Sequence, residues 1–176
     1  SVHERINSTV PQGWDNQLHE EYTFDLRYRR TWVIPIIGDY FDILPSLGFT
    51  AGTSQRVVSV GTTIRIGSGL QSDFGAPLIR PSASGAYYFK PDQSFYWYLF
   101  VGGHGQYVDY NIFLDGNRDG KSHSVERTEW VGDAQAGLVV GGGNWRFTIT
   151  NIYRTKEFET QTEEDEFGSI AIAYRF

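Results

Sequence analysis

The sequence predicts an all-β chain folded as an antiparallel up-and-down transmembrane β-barrel, with about eight strands. Three observations carry that prediction. The chain ends on Ile170-Ala171-Ile172-Ala173-Tyr174-Arg175-Phe176, where bulky apolar residues alternate with small or charged ones. Successive side chains of a strand point to opposite faces, so Ile170, Ile172, Tyr174 and Phe176 share one face and Ala171, Ala173 and Arg175 the other. This period of two recurs from about residue 20 to the end, and no helical period covers a window of similar length. Finally, long polar connections alternate with short ones, as in a barrel with long loops at one rim and tight turns at the other. A membrane barrel turns its apolar face to lipid and its polar face to the lumen, the reverse of a soluble domain.

The first strand, near residues 20 to 33, sets Tyr22, Phe24, Leu26 and Tyr28 against Thr23, Asp25, Arg27 and Arg29. The second, near 40 to 52, contains Pro45, which cannot donate to a ladder and predicts a bulge or irregular pairing. The third, 56 to 66, sets Val58, Val60, Ile64 and Ile66 against Ser59, Gly61, Thr63 and Arg65. A short fourth strand near 84 to 90 leads to the turn signal Lys90-Pro91-Asp92-Gln93. The fifth runs from Ser94 to about Val108, aromatic on both faces at first, then with His104 and Gln106 on the face of Gly102. The sixth, 128 to 140, opposes Ala134, Ala136, Leu138 and Val140 to Asp133, Gln135 and Gly137. After Gly141-Gly142-Gly143-Asn144, the seventh opposes Trp145, Phe147, Ile149 and Tyr153 to Arg146, Thr148, Thr150 and Arg154. The eighth closes the chain. Residues 67 to 79, 109 to 126 and 156 to 166 form the long links; 53 to 55, 90 to 93 and 141 to 144 form the short ones.

The whole of 1–176 reads as a single barrel domain, with an irregular leader at 1–19 and barrel strands over 20–176. The chain lacks cysteine, against a disulfide scaffold and a thiolate metal site and in keeping with passage through an oxidising periplasm. Its net charge of -6, from 21 acidic and 15 basic side chains, excludes the basic footprint of a nucleic-acid binder. Aromatic residues make up 16% of the chain, a weight that suits tyrosine and tryptophan at a membrane–water boundary. The longest apolar run, Phe95 to Val101, is far short of the ~20 residues that a spanning helix needs, so any membrane crossing is made by strands. The chain opens on Ser1 with no signal-peptide pattern, as a mature product or a fragment does.

Three segments in order along the chain resemble the lipid A 3'-O-deacylase family of Gram-negative outer-membrane barrels, the LpxR type. The first is Val2-His3, then Pro11-Gln12-Gly13-Trp14-Asp15-Asn16-Gln17-Leu18 and Tyr28-Arg29-Arg30-Thr31-Trp32. The second comprises Gly61 to Gly67, Ser72-Asp73-Phe74-Gly75 and Ile79-Arg80-Pro81. The third extends from Leu114-Asp115-Gly116-Asn117 through Ser122-His123-Ser124-Val125 and Val131-Gly132-Asp133 to Arg154-Thr155-Lys156-Glu157-Phe158 and Phe167-Gly168-Ser169. The resemblance implies a twelve-stranded barrel in the bacterial outer membrane, of which this chain supplies the C-terminal part and lacks about four N-terminal strands. It implies hydrolysis of an ester-linked acyl chain of lipid A or lipopolysaccharide, by a monomer that uses calcium and a histidine-activated water. Only His3 matches the position of the family histidine, ahead of the Pro-x-Gly-Trp-Asp motif; its imidazole titrates near neutrality and suits a general base. The family's Asn-Asp pair, hydroxyl residue and lysine belong to the missing part, which leaves the site incomplete and the calcium ligands N-terminal to this chain. Eight crossings also place the start of the first strand at the rim of the C-terminus, whereas a His3 leader belongs at the opposite mouth.

Other candidates read as structure. His19, before Glu20-Glu21, reads as a rim residue and His104 as a satisfied lumen histidine. Asp115-Gly116-Asn117-Arg118-Asp119-Gly120, with Glu126 at the twelfth position, fits a calcium-loop expression whose oxygens at positions 1, 3, 5 and 12 suit a hard cation. Its flanking strands, where that motif has helices, argue for an ordinary loop. Glu163-Glu164-Asp165-Glu166 reads as a solvated loop, and Arg80, Lys121, Arg154 and Lys156 are chemically able to meet lipid phosphates but more often balance acidic neighbours. Two rival readings stand beside the esterase: a non-enzymatic barrel, either pore or structural protein, and a soluble lipid-binding cup of lipocalin type.

Overall fold

A computed structural model describes residues 17–75, 89–90 and 92–176. The strands are β1 (Asp25–Thr31), β2 (Ile34–Ile37), β3 (Phe41–Gly52), β4 (Gln55–Ser68), β5 (Asp92–Asn111), β6 (Trp130–Gly143), β7 (Trp145–Arg154) and β8 (Asp165–Tyr174). A 3-10 turn, Leu70–Ser72, follows β4, and a single α-turn, α1 (Ile112–Asp115), follows β5. One antiparallel sheet contains all the strands in the order β1-β3-β4-β5-β6-β7-β8, with β2 also on β3. The predicted meander is therefore the fold. Among the described residues β1 and β8 are the outer strands and do not pair with each other, so the sheet forms an open wall.

Although eight strands are present among the described residues, they are not the eight that the sequence predicts. The expected first strand is shorter and split: residues 20–24 precede β1, and β1 and β2 lie end to end along β3 in one register, Thr31 opposite Ser46 and Ile34 opposite Ile43. Pro45 explains the split. Its carbonyl accepts from Trp32 N–H at 3.0 Å, but proline has no N–H to return the bond, and the edge ladder lapses there. On its other flank Pro45 faces Thr62 with no shift of register, so the predicted bulge is an interruption of the neighbouring edge. The expected fourth strand falls mostly outside the described residues. Of its described part, Phe89 makes an isolated bridge to Asp73, and β4 pairs directly with β5 from Gln55↔Asn111 to Ser68↔Trp97, which leaves no place for a strand between them.

That correction changes the parity of the crossings. With β1 and β2 as one edge strand, the start of β1 lies at the rim opposite the end of β8. Asp25 faces Gly52 beside the 53–54 turn, whereas Tyr174 faces Trp145 beside the turn at Asn144. The leader rim thus carries residues 17–24, the tight 53–54 turn, and the long connections 112–129 and 155–164. The C-terminal rim carries the tight turns at 38–40 and 144, and the described residues 69–75 and 89–90 of the long connection between β4 and β5. This last link breaks the predicted sorting of long loops to one rim.

The two faces are inverted relative to a soluble domain. On β7, burial strictly alternates: Trp145, Phe147, Ile149 and Tyr153 are exposed, while Arg146, Thr148, Thr150 and Arg154 are buried. Leu26 (58% exposed), Phe147 (47%) and Ile172 (62%) face outward, and Arg65 (0%) and Arg146 (1%) face inward. A soluble lipid-binding cup has the reverse distribution, an apolar interior under a polar outside, and is excluded on that ground. Outward apolar residues need lipid to be stable, because exposing this much contiguous apolar surface to water is unfavourable.

Toward the C-terminal rim the inner face becomes a packed aromatic cluster of Leu70, Tyr96, Tyr98, Phe100 and Val139. The aromatic rings of β5 lie over glycines of β6, Tyr96 opposite Gly141 and Phe100 opposite Gly137, where any side chain would collide with them. Two arginines pin the 69–75 segment onto this cluster. Arg65 binds the Asp42 carboxylate through Nε at 2.8 Å and donates to the carbonyls of Asp73 (2.8 Å) and Leu70 (3.3 Å). Arg146 binds Asp73 at 2.6 Å, the Gly75 carbonyl at 3.1 Å and the Tyr98 hydroxyl at 3.1 Å.

Candidate active site at the leader rim

The leader rim is built from a short stretch of polar sequence that fastens residues 18–25 across the ends of β3, β4 and β5. Asp25 begins the fastening: its carboxylate accepts from the backbone of Ser54 (3.1 Å) and Gln55 (3.3 Å), and from the Ser54 hydroxyl, which closes the tight turn between β3 and β4. Phe24 and Thr53 exchange further bonds, Phe24 N–H to the Thr53 hydroxyl at 2.8 Å and Thr53 N–H to the Phe24 carbonyl at 2.9 Å. The leader then crosses toward the connection that follows β5.

That connection is ordered by its own polar residues. Asn111 caps α1 by accepting from Phe113 N–H at 3.2 Å, the role for which asparagine is favoured at a helix start. Gly116 closes the turn at φ +79, and Tyr110 donates to its carbonyl at 2.8 Å. Asn117 follows, 5% exposed, with its N–H on the Ser122 hydroxyl at 2.6 Å. Its side-chain amide meets the leader: Oδ1 accepts from His19 N–H at 3.0 Å, and Nδ2 donates to the His19 carbonyl at 3.2 Å and to Glu21 at 2.9 Å. Arg118 completes the contact through its Nε on Glu21. The Asn117 amide and the Arg118 guanidinium hold the Glu21 carboxyl below its usual range.

Under this strap lies a pocket of about 360 Å³. Leu18, Ile112 and Phe113 supply its apolar lining, and Glu21, Thr23, Arg27 and Gln55 its polar one. Arg27 leans toward Asp25 at 3.8 Å and Gln55 at 3.5 Å. An apolar wall beside a guanidinium suits an amphiphile that carries an alkyl chain and an anionic or carbonyl group.

The predicted site residues fare differently. His3 lies outside the described residues, as does Arg80. His19 belongs to the strap and is bound through its backbone. His104 is a buried inner-face residue of β5, in register with Gly61 of β4 and Asp133 of β6. Arg154 is held by Asp133 at 2.6 Å and 3.2 Å and lies 3.6 Å from Glu157, so it balances acidic neighbours. Asp165 and Glu166 begin β8, where a solvated loop was expected, and Asn151 donates to Glu166 at 3.1 Å.

The calcium-loop expression folds to another purpose. Asp115 accepts from Arg127 Nε at 3.0 Å and from Asn111 N–H at 2.7 Å, Asn117 clamps the leader, and Asp119 accepts from Lys121 N–H at 3.1 Å. The side chains of Asp115, Asn117 and Asp119 are thus turned to three different partners inside the chain. Among the described residues no three histidine or acidic side chains converge as a metal would require.

The family model of the outer membrane protein LpxR matches residues 1–176. The solved structure of LpxR from Salmonella typhimurium matches with a TM-score of 0.70 and 20% identity, over 99% of this chain and 60% of that one. At that identity the likeness concerns the fold, and this chain spans 60% of the length of the solved structure. No curated protein matches the sequence. The family match over every residue, together with an apolar outer wall, a charged inner face and a fold shared with a solved LpxR, shows that the chain belongs to the LpxR family of outer membrane proteins.

Proposed function

We propose that this chain is part of a lipid A deacylase of the outer membrane, acting as a monomer on lipopolysaccharide, with His3 as the base that activates water. The observation that carries this reading is the family match over residues 1–176, which includes the His3 leader. In the reaction, the imidazole of His3 takes a proton from water as the oxygen adds to the ester carbonyl. Collapse of the tetrahedral intermediate then releases the fatty acid and leaves a hydroxyl on the sugar, with the proton returned to the departing alkoxide. The described geometry supports the reading in two respects. The strap that continues from the leader is fastened at the rim opposite the C-terminus, and the pocket beneath it has an apolar wall for an acyl chain beside Arg27.

Calcium belongs to this reading through ligands N-terminal to this chain, as the family resemblance implies. Asp115, Asn117 and Asp119 do not fit it, because they are turned to different partners and do not converge with other acidic side chains among the described residues, and no step is derived through the metal. A pore is the poorer alternative. The inner face toward the C-terminal rim is packed by Leu70, Tyr96, Tyr98, Phe100 and Val139, and pinned by Arg65 and Arg146. A non-enzymatic structural barrel is separated by mass spectrometry of lipid A from cells that express the full-length gene. Loss of one ester-linked acyl chain is the expected result. Unchanged acylation beside a correctly folded barrel overturns the enzyme, and full activity in His3→Ala overturns only the base.

A further inference from the structure

We infer that Arg27 and Arg29 form a receptor for the anionic head of the lipid, a phosphate carried by the same molecule whose acyl chain lies on the wall of the leader-rim pocket. The inference deepens the deacylase reading and rests on it for the identity of the lipid. Residues i and i+2 of a strand share a face, so the two guanidiniums project side by side from Cα atoms roughly 6–7 Å apart. Arg27 lines the pocket beside Leu18, Ile112 and Phe113. Arg29 stands one step farther along β1, opposite Gly48. A Cβ added at Gly48 would lie 3.6 Å from the Arg29 Cβ and 3.1 Å from the hydroxyl of buried Ser59, so Arg29 belongs to the inner face.

Arg29 differs from the buried inner arginines in its partners. Arg65 is matched to Asp42, Arg146 to Asp73 and Arg154 to Asp133, each within the chain. Among the described residues Arg29 has no hydrogen bond or ion pair, and no charged neighbour acts on it. Its row across the sheet gives the reason: Gly48 is followed by Ser59, Gln106 and Val131, none of them acidic. The acids around it are engaged. Asp25 accepts from the Ser54 and Gln55 N–H groups, Glu21 is held by Asn117 and Arg118, and Asp133 in the neighbouring row is held by Arg154. Arg29 is exposed, so an anion can reach it. A guanidinium without an internal counter-charge calls for an anion from elsewhere, and its planar fork fits a phosphate through two parallel bonds. The apolar wall and the two guanidiniums are then the two halves of one site for an amphiphile.

The test measures binding of lipid A to the full-length protein in detergent by titration calorimetry, with the phosphates present and after their enzymatic removal. Arg29→Gln is expected to weaken binding of the phosphorylated lipid about tenfold or more and to leave the dephosphorylated lipid within about twofold. Arg29→Lys keeps the charge without the fork and is expected to fall between the two, and it supplies the measurement should the glutamine variant fail to fold. Inorganic phosphate alone is the second arm: weak competition with the phosphorylated lipid is expected, whereas phosphate that binds as tightly as the lipid shows a site for the free ion and overturns the lipid assignment. Equal losses for both lipids, or no loss for either, overturn the inference. So does a lowered urea midpoint of lipid-free Arg29→Gln with phosphate-independent lipid binding, which assigns Arg29 to a carboxylate of the protein. Acyl release is scored separately: phosphate-dependent binding without any release overturns the deacylase reading and leaves the Arg27–Arg29 receptor standing.

Discussion

Arg146 and Asp73 are 73 positions apart and meet at 2.6 Å, with side chains only 1% and 0% exposed. The pair joins the inner face near the C-terminal rim to the segment that follows β4. Removing one partner strands the other as an uncompensated buried charge, which costs about 3–5 kcal/mol. Arg146→Met is therefore expected to lower the urea midpoint of the folded barrel strongly. Arg146→Met with Asp73→Leu, which removes both charges, is expected to lose less than the sum of the two single variants. Strict additivity in that double-mutant cycle would show that the two side chains are not coupled.

Much of this architecture was legible in the sequence, because the period of two fixes which residues share a face without any knowledge of the partners. The face assignments of β4, β6 and β7 hold position by position, from Val58 against Ser59 to Phe147 against Arg146. Pairing was less legible. Pro45 signalled an interruption, but only the partner strand shows that the lapse falls at Trp32 and Val33 and makes β1 and β2 one edge. Residues 84–90 read as a strand on their aromatic character, but β4 pairs directly with β5, and the extra crossing assumed in the sequence moved the start of the first strand to the wrong rim. The partners of Asp42, Asp73 and Asn117 were not legible, since their roles depend on contacts across long sequence separations; Asp73 and Asn117 entered only as residues of the family resemblance, and Asn117 also as the third position of a calcium-loop expression that the fold uses otherwise.

Gly141 and Gly103 separate the two uses of glycine in this sheet. A Cβ at Gly141 would lie 2.2 Å from the Tyr96 ring, whereas one at Gly103 meets nothing within 4 Å. Gly141→Ala is expected to cost about 1–3 kcal/mol through overpacking. Gly103→Ala, on the outer wall, is expected to change stability by less than about 0.5 kcal/mol. Equal effects in chemical unfolding would mean that Tyr96 does not lie over β6.

Ile149 and Thr150 are adjacent on β7 and face opposite media. Ile149→Arg places a guanidinium on the lipid side and is expected to cost about 2–4 kcal/mol near the bilayer midplane. Thr150 is buried, and its hydroxyl has no hydrogen-bond partner among the described residues. Replacing a buried, unpaired hydroxyl by a methyl group removes a desolvation cost, so Thr150→Val is expected to stabilise the barrel by about 1 kcal/mol or more. A tolerant Ile149 site, or a clear loss in Thr150→Val, would contradict the assignment of the two faces.

The bond between Glu21 and Asn117 makes docking of the leader depend on pH, and its sign follows from the direction of the shift. The Asn117 amide and the Arg118 guanidinium hold the Glu21 carboxyl below its ordinary value of 4.5. A carboxylate whose folded value is depressed contributes its stabilisation above the ordinary value and loses it as pH falls through the depressed one. The strap is therefore expected to remain docked at pH 5 and above, and to loosen only below 4.5. In detergent micelles, the side-chain amide resonances of Asn117 report this directly: they should move with a midpoint under 4.5, and Glu21→Gln should abolish the movement. A midpoint at or above that value, or one that survives Glu21→Gln, would show that another group controls the strap.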